Sequence, residues 1–241
     1  MDTRTLELVT ADGPMACYEA RPHGSARGAV IVVQEAFGVN DHIQDVTRRF
    51  AETGYHAVAP SFFHRAGGGT APYGEWSRVL PLYEHLDDDG ILVDVDATLG
   101  HLRDAGWEDD RIGIVGFCFG GRVTFLVAVR RAIGAAVGFY GGGIVTQRTP
   151  QFPALAGEAS RLQTPWLGLF GDQDHSIPVE DVEQLRMALR AAPVPTAVVR
   201  YADAGHGFHC DVRDAYHETS AKDAWGRTLD WLDRHLVLRR V

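Results

Sequence analysis

Cys118 stands at the apex of Gly116-Phe117-Cys118-Phe119-Gly120-Gly121, directly after the apolar run Ile112-Gly113-Ile114-Val115. A strand that turns at once into a helix presents its apex side chain clear of both elements, in a strained backbone conformation. Glycines two positions before and after the apex remove side chains that would collide with the adjoining strand and helix. The helix start aims N–H groups and a positive dipole end at the sulfur, which favours thiolate over thiol. The pattern is G-x-S-x-G with sulfur in place of the serine oxygen, and its chemistry is acyl transfer. The plain alternative is an inert buried thiol, a common fate of free cysteine. Phosphate binding fits less well, because G-x-x-x-x-G-K-[ST] and a clean G-x-G-x-x-G are both missing.

A cysteine nucleophile needs a base, and the base needs a carboxylate to fix its tautomer. His206 lies in Ala204-Gly205-His206-Gly207, after the last expected strand, and Asp174 lies in Gly171-Asp172-Gln173-Asp174-His175-Ser176, after the strand before it. Loops at the carboxyl ends of parallel strands gather at one rim, so Cys118, Asp174 and His206 meet there in the chain order nucleophile, acid, base. Asp172 competes for the acid role, but Asp174 sits deeper in the turn and reaches back toward the histidine. Asp172 is expected to brace the turn. A fourth strand end, Gln34-Glu35-Ala36-Phe37-Gly38-Val39-Asn40, is placed to give the Ala36 N–H to an oxyanion hole whose first donor is the Phe119 N–H. Glu35 is the unusual member, since a buried acid needs a partner. It either pairs with an arginine such as Arg65 or lies beside Cys118 and manages its proton.

The elements that must hold these loops are legible. Leu6–Thr10 and Met15–Ala20 read as a hairpin; Ala29–Gln34, His56–Pro60, Ile112–Val115, Ala135–Tyr140, Trp166–Gly171 and Thr196–Tyr201 read as buried strands. Helices fall between them, on Ile43/Val46/Phe50, on Leu92/Val95/Leu99/Leu102, after the elbow, around Val179–Ala191 and around Tyr216–His235. The expected fold is α/β: a mostly parallel, doubly wound sheet with helices on both faces, one domain over residues 1–241, with 61–90 an irregular loop and lid-like segment. A net charge of −9 argues against nucleic acid and anionic membrane surfaces, and apolar runs such as Phe125–Val129 are too short to span a bilayer. Three cysteines and the lack of a secretory apolar region point to reduced thiols in the cytoplasm. His206, His209 and Cys210, with Asp174-His175 nearby, do not have zinc-ligand spacing, so neither metal nor cofactor is expected.

With these residues in place the chain resembles the dienelactone hydrolase (carboxymethylenebutenolidase) family of α/β-hydrolases over nearly its whole length. The matching segments are Gln34–Asn40, Gly54–Pro60, Gly116–Gly121, Gly138–Gly141, Gly171–His175 and Ala204–His206. The resemblance implies a Cys118–His206–Asp174 triad that opens enol-lactones or activated esters through a thioacyl-enzyme. It also implies that Glu35 contacts the resting nucleophile, where a carboxylate would disfavour thiolate. One departure matters: where the family has a substrate-binding arginine, four residues after the histidine, this chain has Cys210. Arg78 is nearest to the family's other arginine, and Arg65 and Arg213 are further candidates. Phe37, Tyr140 and Phe208 are expected to line an apolar substrate pocket. The expected partner is a small ester or lactone, and the protein a monomer or small homo-oligomer. A broad carboxylesterase or thioesterase, a redox-sensing thiol protein and a binding module that has lost catalysis are the competing readings.

Overall fold

Eight strands form one sheet in the computed structural model, which describes residues 1–236. Asp2–Thr10 (β1) and Gly13–Arg21 (β2) make the expected antiparallel hairpin, turning on Gly13 at φ 117°. Then follow Gly28–Val33 (β3), Tyr55–Pro60 (β4), Ile112–Phe117 (β5), Ala135–Phe139 (β6), Trp166–Gly171 (β7) and Thr196–Tyr201 (β8). The order across the sheet is β1-β2-β4-β3-β5-β6-β7-β8, parallel from β4 to β8, with β2 antiparallel to β4. Strands β3 to β7 are buried along their whole length, which is why they read as unbroken apolar runs rather than alternations.

The helices are Asp41–Glu52 (α1), Trp76–Tyr83 (α2), Asp88–Asp104 (α3), Phe119–Arg130 (α4), Val179–Ala188 (α5) and Glu218–His235 (α6). The Asn40 side chain caps α1 by accepting the Ile43 N–H at 3.1 Å, and the helix buries Ile43, Val46 and Phe50 as the spacing predicts, with His42, Thr47 and Ala51 beside them. Helix α6 is capped by His217, whose Nδ1 accepts from the Ser220 N–H, and it buries Trp231 and Leu232. Among the described residues no helix is long and apolar enough to cross a membrane.

Strand β3 has β4 on one side and β5 on the other, so the chain's winding reverses there. A crevice opens above the carboxyl ends of two such strands, and ligands bind in it. Glu35 and Ala36 follow β3, and Cys118 follows β5, so both flank this crevice.

The segment 61–90 is more ordered than its sequence suggests. Phe62 and Phe63 anchor a 3₁₀ turn over Phe62–Ala66, and α2 follows after a loop. Glycine and proline obscure α2, because Pro81 lies inside it and Val79 is its one fully buried residue. Trp76 and Leu80 of this helix remain 54% and 60% exposed.

Candidate active site

Cys118 has φ 55° and ψ −112°, a conformation disfavoured for any residue with a Cβ. The turn exists because its glycines allow backbone to meet backbone. A Cβ on Gly116 would lie 2.1 Å from the Gly120 carbonyl oxygen, and one on Gly120 would lie 2.5 Å from that of Val33. The Cys118 N–H donates to the Phe139 carbonyl at 3.0 Å, which locks the elbow to the neighbouring strand.

Cys118 Sγ lies 3.1 Å from His206 Nε2, and His206 Nδ1 lies 2.6 Å from Asp174 Oδ2. Asp174 is 4% exposed. Its burial raises its pKa, but hydrogen bonds from His206 and Ser176 outweigh that and hold it below the usual carboxylate range. Burial likewise disfavours charge on His206, yet the Cys118 sulfur and the Asp174 carboxylate together push the ring up to about 10. A charged imidazolium beside the sulfur stabilises negative charge there. Asp172 faces away and takes a bidentate pair from Arg200, at 2.7 and 2.8 Å, which ties the end of β7 to β8. That is the bracing part expected of it.

Ala36 and Phe119 both line the cavity above Cys118, and among the described residues neither backbone N–H has an acceptor. Two backbone donors lining one cavity can receive an oxyanion. The cavity holds about 230 Å³, walled by Trp76, Val79, Leu80, Tyr83, Phe119 and Phe152. Two guanidiniums reach it that the sequence did not single out. Arg122, one turn into α4, is neutralised by a bidentate pair with Asp88 at 2.6 and 3.0 Å. Arg148 donates to the Ser176 carbonyl and has no carboxylate partner among the described residues.

Other candidates sit elsewhere. Phe208 and Tyr140 are fully buried, packed on one another at 5.3 Å, with Tyr140 also against the His206 ring at 5.1 Å. Tyr140 thus packs on the histidine, and Phe208 packs on Tyr140. Phe37 is buried against Tyr73 and Trp76 and does not line the cavity. Arg65 holds Asp12 and Asp94, and Arg78 faces Glu75 from an adjacent shallow cleft. Neither lines the Cys118 cavity.

Glu35 is fully buried and departs from expectation. Its Oε2 accepts the Tyr73 hydroxyl at 2.9 Å, and its Oε1 faces Arg213 at 3.7 Å, while the sulfur of Cys118 is engaged by His206. The pairing with Arg65 is replaced by Arg213, which also stacks over Tyr73 at 5.0 Å. Cys210 donates to the Tyr73 oxygen at 3.4 Å, and burial pushes its thiol up to about 11. The family's arginine position is thus filled by the first member of a chain, Cys210 to Tyr73 to Glu35.

His209 stacks between Phe117 and Trp225, and burial pushes it down to about 3. A second histidine group gathers on Glu19 of β2: His56 and His101 both contact Glu19 Oε1, at 2.9 and 2.8 Å. Trp107 donates to His56 Nδ1, so Nε2 carries the proton and gives it to Glu19. With Arg4 and Arg21 also donating, the carboxylate is saturated by hydrogen-bond donors, an arrangement for charge neutralisation rather than metal ligation. Burial holds His56 down to about 4. His209 and His56 therefore stay neutral when folded and take up protons when unfolded, so they make stability rise with pH from about 3–4 up to about 6.5. For His209 this amounts to about 2 kcal/mol less stability at pH 5 than at pH 7. Denaturant titrations at the two pH values should show the loss, and His209→Phe, which preserves the stack, should reduce it. An unchanged difference would place the acid sensitivity elsewhere.

A parallel sheet, a nucleophile elbow, and a histidine and carboxylate delivered from the last two strand ends define an α/β-hydrolase. Residues 15–236 match the family model described as the dienelactone hydrolase family. A Salmonella typhimurium protein provisionally named a carboxymethylenebutenolidase is 42% identical over 226 residues, covering 92% of this chain and 83% of the relative. A Bradyrhizobium protein provisionally named a 2-oxo-3-(5-oxofuran-2-ylidene)propanoate lactonase is 33% identical over 98% of this chain and 96% of its own. The crystal structure of a provisionally named dienelactone hydrolase from Klebsiella pneumoniae superposes with a TM-score of 0.88 at 37% identity, covering 97% of this chain and 98% of that one. The chain belongs to the dienelactone hydrolase family, and it is a hydrolase of that type.

Proposed function

We propose that this hydrolase opens enol-lactones or activated esters through a thioacyl-enzyme built on Cys118. The observation that carries the proposal is the unbroken line Cys118–His206–Asp174 at the base of an apolar cavity. The sulfur attacks the acyl carbon, the carbonyl oxygen takes the negative charge, and the Phe119 and Ala36 N–H groups hold it. The C–O bond then breaks, and the His206 imidazolium gives its proton to the departing oxygen. Water replaces the leaving group. His206 removes its proton as it attacks the thioacyl carbon, and C–S cleavage restores the starting pair. Asp174 orients the ring throughout. Turnover of p-nitrophenyl acetate and of an enol-lactone, lost in step with iodoacetamide labelling of Cys118, is the expected result. Turnover that survives complete labelling of Cys118 contradicts the proposal.

The substrate is an ester or lactone with an apolar portion, matched by the aromatic wall, and lactone opening is the activity for which the Bradyrhizobium relative is named. Among the described residues Arg148 is the cavity guanidinium that no carboxylate pairs with, so an anionic group on the substrate finds its partner there. The enzyme should therefore prefer p-nitrophenyl hydrogen succinate over p-nitrophenyl butyrate by about tenfold to a hundredfold in kcat/KM. Arg148→Gln should reduce that ratio toward one; a ratio unaffected by the substitution rules Arg148 out. One domain carrying the whole site is the reading we adopt, with residues 237–241 outside the described part. Three unpaired thiols accord with a cytoplasmic location.

A further inference from the structure

We propose that Ser176 is a positioning residue for the acid of this site, its hydroxyl fixing which oxygen of Asp174 meets His206; the proposal rests on the triad reading above. Asp174 spends its Oδ2 on His206 Nδ1. Its other oxygen, Oδ1, accepts both the Ser176 N–H at 2.8 Å and the Ser176 hydroxyl at 2.6 Å. The backbone bond is an Asx turn that any non-proline residue at 176 could make. The hydroxyl bond depends on serine.

The position of the hydroxyl explains its use. Ser176 Oγ lies 3.3 Å from His206 Nδ1 as well as 2.6 Å from Asp174 Oδ1, so it stands between acid and base. A hydroxyl has one proton to give and lone pairs to spare. Ionised Asp174 takes that proton, and the oxygen then turns a lone pair to the ring N–H. The Nδ1 proton is therefore held between Asp174 Oδ2 and Ser176 Oγ. A carboxylate with a donor at each oxygen is also fixed in plane, and cannot rotate its anti edge toward the histidine. Charge-assisted bonds of this kind are the strong ones.

The residue itself is anchored from across the cavity. Arg148 donates to the Ser176 carbonyl, so one guanidinium at the cavity wall tethers the loop whose hydroxyl steers Asp174. The Ser176 side chain is solvent-exposed, which leaves room for a larger side chain that keeps the hydroxyl.

The test compares Ser176→Ala with Ser176→Thr in the full-length enzyme, using p-nitrophenyl acetate and following the downfield Nδ1 proton of His206 by NMR. Removing the hydroxyl should lower kcat about tenfold while KM stays within twofold, and should shift or broaden the Nδ1 resonance. Threonine should restore kcat to within about threefold of wild type and return the resonance. The proposal is overturned if alanine matches wild type, or if alanine and threonine are equally slow, since the second result would make the loop and not the hydroxyl responsible. Cys118→Ala measured alongside separates the two readings. It stays inactive if only Ser176 has been misassigned, and it retains turnover if the triad itself is wrong.

Discussion

Replacing Cys118 with alanine lowers the hydrolysis of activated esters by about 10⁴-fold or more, because Cys118 is the cavity nucleophile that His206 contacts, and its sulfur is what forms the acyl intermediate. What remains should be the background that an oxyanion hole and a binding cavity give to an attacking water. The fold should survive. Alanine has the same Cβ as cysteine, so φ 55° is no more strained than before, and the elbow's bond from the Cys118 N–H to Phe139 is untouched. Circular dichroism and unfolding midpoint should therefore match wild type while turnover vanishes. A tenfold or smaller loss would mean that Cys118 is not the nucleophile.

The second large effect is at the acid. Asp174→Asn should reduce kcat by about 10³- to 10⁴-fold, the scale on which a triad loses activity when its histidine is held in the wrong tautomer. An amide N–H₂ turned to His206 makes Nδ1 an acceptor and moves the proton to Nε2, where it blocks acceptance of a proton from sulfur. The ring also loses the carboxylate that helps push it up to about 10. Iodoacetamide labelling of Cys118 should then slow at neutral pH. Asp172→Asn serves as the paired control: its carboxylate holds Arg200 and not the histidine, so it should change turnover by less than threefold. Equal losses for both substitutions would show that the loop, and not the Asp174 carboxylate, is what matters.

What the sequence discloses and what it hides follow from physical reach. Strands β3 to β7 are legible because a strand buried on both faces must be apolar throughout. Cys118, Asp174 and His206 are legible because each lies directly after a legible strand, and parallel strands bring those ends together. Arg122 and Arg148 were not legible. The first lies within a helix that reads as ordinary, and the second lies in an aperiodic loop, so only the folded path brings them to the cavity. Glu35 was recognised as a buried acid, but its partner Tyr73 comes from the loop before α2, whose course no periodicity records. Arg65 seemed a partner from its place in the chain; Asp94 on α3 holds it instead. Ser176 reads in the sequence only as part of a turn, because its contact with His206 joins residues thirty positions apart.

The most direct test is to trap the acyl group. Wild-type enzyme is mixed with excess p-nitrophenyl butyrate, quenched in acid within the first turnover and analysed by peptide mass mapping. The expected result is a butyryl group on the peptide containing Cys118, formed at a rate matching the release of nitrophenolate. Nitrophenolate release with no acyl group on Cys118, or with the group on Cys17, Cys210 or a serine, would contradict the assignment of Cys118 as the nucleophile.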